Sequence, residues 1–286
     1  EFRALHPFSH LKPAIHIFVL NVIGSVYLQL NNVLLGFMKD VEAVGYFAAA
    51  TKILIIAMSF SSSLGAVIMP RTSNLIAENK MDEFKTLIQK SYDFVLALAM
   101  PLTVGLIFIS PSAILLLSGE GFTSAILTSQ IIAFNILTVS IAGVMGFQVL
   151  YPMGRINTVI FCTFIGAIVN ILMNVLLTPV YGHNGTAVAY MLAEVAVTFS
   201  MFILGRKYIP IQFFKKEHLH YIIGSVVMGI GLYFISNSQL DNIMMLTFMI
   251  FVGCLTYVGI LVVLKDSVSK IIQKTISQYF EKKKIL

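Results

Sequence analysis

The stretch YLQLNNVLLGFMKDVEAVGYFAAATKILIIAMSFSSSLGAVIMP (27–70) decides the fold. Two apolar runs meet at a short charged interruption, 39–42. The second run continues for more than 25 residues with only Lys52 charged. That is too long for a membrane barrel strand of about 9–11 residues. A helix of about 20 residues crosses a hydrocarbon core of about 30 Å. In lipid every backbone N–H and C=O must be satisfied inside the segment, and an isolated helix does this.

The same pattern recurs outward from this stretch. Apolar runs over 14–38, 43–69, 92–110, 124–151, 158–178, 185–205, 219–236 and 242–264 predict an all-α fold, a polytopic membrane helix bundle of about eight transmembrane helices. Composition agrees. Hydrophobic residues make up 58% and charged residues 11%, against about 25% charged in soluble domains.

Charge sets the orientation. With the N-terminal end inside, 17 of the 19 Lys and Arg residues fall in inner segments. The outer connections hold Lys39 beside Asp40, Glu42, Glu120 and Asp241, and Lys52 lies within a span. Both termini are then cytoplasmic, including the Lys-rich tail. The net charge of +6 is read as topology signals facing anionic lipid, with no nucleic-acid partner. The inner connection carries MDEFKTLIQKSYDF, in which Met81, Phe84, Leu87, Ile88 and Tyr92 recur at helical spacing. A short amphipathic helix on the inner surface is expected there, and a similar one over the tail 265–286.

Several chemistries find no support. Cys162 and Cys254 lie within spans without metal-ligand neighbours and are expected as packing residues with no disulfide. No Gly-Lys phosphate loop and no HExxH motif occurs. No metal, no cofactor and no enzymatic activity are expected, and no ATP site is found.

Polar residues inside spans are costly unless they face protein or water. Asn21, Ser25, Gln29, Asn32 and Gly36 share one helical face. Gly45, Ala48, Ala49, Lys52, Ser59, Ser62 and Ser63 form a second stripe, Thr163, Gly166, Asn170 and Asn174 a third, and Ala187, Tyr190, Glu194 and Thr198 a fourth. Small residues permit close helix approach, and polar ones hydrogen-bond across the contact. Either tight packing or a cavity wall fits these stripes. Lys52 lies roughly 10 Å below the outer end of its span. It faces a partner or an aqueous cavity, or it snorkels outward. Glu194 is too short to snorkel. It is protonated, hydrogen-bonded to Asn170 or Asn174, or poised for proton exchange. Pro101, mid-span, removes a backbone hydrogen bond and is a candidate hinge; Gly143 and Gly146 are weaker ones.

Four segments also resemble a known family. YLQLNNVLLGFMKDVEAVGYFAAATKI (27–53), SLGAVIMPRTSNLIAENKMDEF (63–84), ALAMPLTVGLIFISPSAILLLSGEGF (97–122) and QVLYPMGRINTVIFCTFIGAIVNILMNVLLTPVYGHNGTAVAYMLAE (148–194) resemble bacterial polysaccharide repeat-unit flippases. These belong to the multidrug/oligosaccharidyl-lipid/polysaccharide exporter superfamily. The resemblance implies two six-helix lobes around a cavity, followed by two more helices. Residues 1–208 resemble the second lobe, 209–264 the two additional helices, and 265–286 a cytoplasmic basic tail, as in a C-terminal fragment that lacks the first lobe.

The implied function is flipping of a polyprenyl-diphosphate-linked oligosaccharide from the inner to the outer leaflet of a bacterial cell membrane, for capsule or other surface polysaccharide. The implied partners are that lipid-linked sugar, membrane lipid, the missing N-terminal lobe and polysaccharide polymerase machinery. Lys52, Asn31, Asn32, Asn170, Asn174 and Glu194 become candidate cavity or substrate residues. Arg71 and Arg155, at cytoplasmic helix ends, become candidate head-group contacts or topology anchors. Asn31 stands where many relatives carry an acidic residue, which favours a neutral hydrogen-bonding site. The alternatives are a multidrug/cation antiporter of the same superfamily and a membrane polysaccharide polymerase. The short outer connections argue against the polymerase.

Overall fold

Asp40 fixes the start of the second helix. Its side chain accepts a hydrogen bond from the Ala43 N–H at 2.7 Å, and Glu42 places negative charge in the first turn. The computed structural model describes residues 29–236 and 242–264, with residues 11, 15, 18 and 266 besides. Expectations that fall on Asn21, Ser25, Asp241 and the tail lysines lie outside the described residues.

The described chain is helical. α1 covers 29–38, α2 Val41–Ala77, α3 Met81–Ser118, α4 Ala125–Ile132, α5 Asn135–Gly143, α6 Ile156–Tyr181, α7 His183–Gly205, α8 Lys216–Ser236 and α9 Asn242–Val263. A π-helical segment, Val144–Leu150, continues α5. Among the described residues six helical stretches are long and apolar enough to cross a membrane. One of them, Ile156–Gly205, reverses at Gly182 into α6 and α7, so these stretches supply seven crossings. The segment 29–38 belongs to the remaining expected span.

α2 and α3 are the long elements. Their 37 and 38 residues measure about 55 Å at 1.5 Å per residue, against a core of about 30 Å. They join through Glu78–Lys80, where Asn79 takes the left-handed conformation at φ 57° and the Lys80 N–H closes on Leu75 O at 2.9 Å. The expected surface helix over 81–92 is therefore corrected. Met81–Tyr92 is the first part of α3 itself, and its apolar face is buried in the bundle. Phe84, Ile88 and Tyr92 pack with Leu75, Met145, Leu150 and Tyr221. Helical periodicity was legible there, but what it faced was protein.

The expected fourth span is not one regular helix. α4 and α5 are separated by turns at Ala133–Phe134, and the π segment follows. The Tyr151 N–H bonds to Gly146 O at 2.8 Å, five residues back. The irregularity thus extends through the Gly143–Gly146 region.

Packing divides into two buried clusters along the helix direction. The outer one joins Leu35, Phe47, Leu54, Ile114, Ile132 and Ala187. The inner one is built around Phe84, Ile88 and Met145. α8 and α9 pack on each other and on α3, where the Tyr257 hydroxyl donates to Ala97 O at 2.6 Å. Phe234, Phe251 and Val263 point outward, as expected where lipid is as apolar as the interior.

Candidate functional site

The polar residues of the spans separate into two groups. The first is an interior network. Asn170, Asn174 and Thr178 recur every fourth residue on α6 and so share one face. Gly182 takes φ 57° and turns the chain back, which brings Thr186 of α7 beside Thr178. Gly185 lies against the Leu177–Thr178 backbone, and Gly166 against Ala193 and Val197, so the two helices touch closely. The Asn174 amide donates to Asn31 Oδ1 at 3.0 Å and to Asn170 O at 3.0 Å. The Thr178 hydroxyl donates to Asn174 Oδ1 at 2.8 Å and lies 2.9 Å from Thr186 Oγ1. All five side chains are fully buried. Each is neutral, so the network contributes hydrogen bonds between α1, α6 and α7 without a formal charge.

Glu194 is half-buried one turn beyond Tyr190. Its backbone carbonyl accepts from the Thr198 hydroxyl at 2.8 Å. That hydroxyl also reaches Thr138 O at 3.0 Å. Asn32 is half-buried and donates to Gln29 at 3.4 Å.

The second group faces outward on α2. Lys52, Ser59, Ser63 and Pro70 follow one strip of the helix at steps of 7, 4 and 7, and all are exposed. The opposite face, with Phe47, Ala50 and Leu54, is buried in the lobe. The serine hydroxyls bond back to their own helix, Ser59 to Ile56 O at 2.7 Å and Ser63 to Phe60 O at 2.9 Å. Lys52 lies eleven residues past Val41, about 16 Å along the axis. It makes no ion pair among the described residues.

The remaining candidates are placed individually. Arg71 is exposed near the C-terminal end of α2. Arg155 is exposed, but its guanidinium sits 4.4 Å from the Tyr208 ring centroid, which ties it to the connection after α7. Pro101 is half-buried within an otherwise continuous α3. Cys162 is buried, Cys254 is exposed, and both are free thiols.

One cluster escaped sequence reading. Asp93, in the first half of α3, is 9% exposed. Its carboxylate lies 2.9 Å from Lys215 Nζ, 2.9 Å from His218 Nε2 and 2.7 Å from Gln89 Nε2. The Gln89 side chain accepts in turn from the Gln212 N–H at 2.8 Å. This cluster fastens the connection before α8 to α3. An acidic residue just inside an apolar run was the available signal.

Comparison with known proteins gives the same picture. A family model described as lipid II flippase MurJ matches residues 6–253. A probable low-salt glycan biosynthesis flippase of Haloferax volcanii is 23% identical over 85% of this chain and 51% of its own length. A putative O-antigen transporter of Shigella dysenteriae is 25% identical over 70% of this chain and 50% of its own length. The chain spans about half the length of the curated relatives it matches. A solved structure of lipid II flippase MurJ in an inward closed conformation superposes with a TM-score of 0.73 at 16% identity. It covers 90% of this chain and 55% of that one, and shows the fold.

Proposed function

This chain belongs to the lipid II flippase MurJ family, and from that premise we propose that it forms the second lobe and two added helices of a transporter for polyprenyl-diphosphate-linked oligosaccharide. The transporter moves its substrate from the inner to the outer leaflet, for surface polysaccharide. The family moves lipid-linked substrate and is not a family of enzymes.

The observation that carries this reading is the outward strip of α2. A lysine at mid-membrane depth costs about 2.5–3.5 kcal/mol or more when it meets lipid. Lys52 nevertheless points away from its own lobe. An opposing lobe with water between the two relieves that cost and turns the strip into a cavity wall. There the ammonium offers a compact charge with three donors to a diphosphate. Asn31, Asn170 and Asn174 hold that wall's neighbours in place, and Arg71 stands at its cytoplasmic mouth.

The test is reconstitution of the complete reading frame and of residues 1–286 alone. Both are placed in vesicles with a labelled polyprenyl-diphosphate oligosaccharide, scored for outer-leaflet exposure. The complete protein is expected to expose the label and the 286-residue chain is not. Flipping by residues 1–286 at the full rate overturns the two-lobe reading. Efflux of an organic cation without lipid flipping by the complete protein overturns the substrate.

A further inference from the structure

A pocket of about 730 Å³ opens beside the Asp93 cluster, between the inner ends of α2 and α3 and the connection before α8. Lys85, Lys90 and Lys215 line it together with Ile68, Phe94 and Pro210. A smaller pocket of about 150 Å³ adjoins it, sharing Lys85 and Pro210 and adding Lys207. Three lysines therefore line the larger pocket, and a fourth lines the smaller one beside it. The acidic groups of the larger pocket are Asp93 and Glu217. The first is occupied by Lys215 and His218. Lys85 is 3.2 Å from Asp82 in an exposed pair, which competes weakly. Lys90 is exposed and makes no ion pair among the described residues.

The position of the pocket points to its occupant. By the distribution of basic residues it lies on the cytoplasmic side, where α3 enters the apolar run that begins at 92. The polar rim, Lys85 and Lys90, is followed one turn deeper by Phe94. Phe214 is 97% exposed next to Lys215 and Lys216, an aromatic beside cations at head-group level. A phosphate at the lysines with acyl chains against Ile68 and Phe94 satisfies both halves. A volume of this size suits one small ligand or head group.

We propose that this pocket binds the head group of one anionic phospholipid from the inner leaflet. The bound phosphate bridges α3 to the connection that carries α8 and α9, so it reinforces the contact that Asp93 makes with Lys215. This site is separate from the strip of α2 and goes beyond the transport reading.

The complete protein, purified in detergent, is titrated with phosphatidylglycerol and with phosphatidylcholine and followed by native mass spectrometry. Wild type is expected to retain one phosphatidylglycerol in preference to phosphatidylcholine. The double substitution Lys85→Gln with Lys90→Gln weakens that first lipid by about thirtyfold, the loss two surface lysines carry. Phosphatidylcholine is unaffected, and Lys90→Arg with Lys85→Arg retains the preference. Both lysines are exposed, so unchanged thermal melting of the lipid-free variants checks the fold. Equal phosphatidylglycerol affinity in wild type and double variant overturns the site. So does an equal loss in Lys80→Gln, which shares the face but not the pocket, because the attraction is then diffuse. Displacement by inorganic phosphate or by a polyprenyl diphosphate at equal concentration replaces the phospholipid with a different ligand and overturns the assignment.

Discussion

The polar network between α1, α6 and α7 and the polar strip of α2 lie in the same bundle and are made of opposite materials. The network is neutral, fully buried and hydrogen-bonded within itself. The strip is exposed, and its serines bond only to their own helix, leaving the ammonium of Lys52 directed away from the lobe. In water, polar groups facing outward need no explanation. In lipid the cost is reversed, and an outward polar group marks a neighbour that is protein or water. Inward amides serve cohesion, while an outward cation serves whatever fills the space beyond.

Substitutions separate the two roles. Lys52→Ala in the complete protein is expected to lower the initial rate of lipid-linked sugar export by about 10- to 150-fold, the range for losing a hydrogen bond to a charged group. Insertion stays intact, and Lys52→Arg keeps part of the activity. Full export by the alanine variant, measured in vesicles, would reduce Lys52 to a residue facing the membrane surface. Gly185→Val acts on the other region. Its side chain meets the Leu177 and Thr178 backbone, which cannot yield as a side chain can. The expected loss is about 3 kcal/mol, at the upper end for overpacking, read as a lower melting temperature in detergent.

Asn174→Leu removes the donor to Asn31 Oδ1 and the acceptor for the Thr178 hydroxyl. It should cost about 2 kcal/mol of stability, as for two buried hydrogen bonds lost, with the transport rate per folded molecule unchanged. A normal melting temperature with lost transport would move Asn174 from the cohesive region to the functional one. The smallest effect is expected from Tyr257→Phe, which removes the bond to Ala97 O that holds α9 to α3. About 1 kcal/mol is expected, with no change in the behaviour of either polar region.

Span positions were legible because lipid imposes a single rule on every turn of helix. α7, α8 and α9 begin and end within about three residues of the apolar runs that predict them. The stripe of Asn170 and Asn174 was legible from periodicity. Its tertiary partners were not, because Thr186 arrives only through the reversal at Gly182 and Asn31 lies 143 residues away in the chain. The apolar run that begins at 43 misses the first turn of α2, since capping by Asp40 sets the helix start at Val41 and apolarity alone does not. The extension of α3 back to Met81 was hidden for another reason. Charges punctuate its exposed face, and a helix half-immersed in lipid has the same pattern as one packed on protein. The π turns of 144–150 left only glycines as a trace, and glycines in membrane helices have many uses. The Asp93 cluster was not legible because its charged partners, Lys215 and His218, lie more than 120 residues away in the chain.

The reversal at Gly182 also has a consequence for biogenesis. α6 and α7 together run from Ile156 to Gly205 with a single residue between them. At about 5–20 residues per second a ribosome delivers this pair within seconds. Almost nothing hydrophilic has to cross the bilayer with it, for the turn is one glycine. Its contacts are local in sequence, the kind that form fastest. The hairpin can therefore enter lipid as one unit with Thr178 and Thr186 already joined. It then waits as a preformed wall for helices made earlier to close against it.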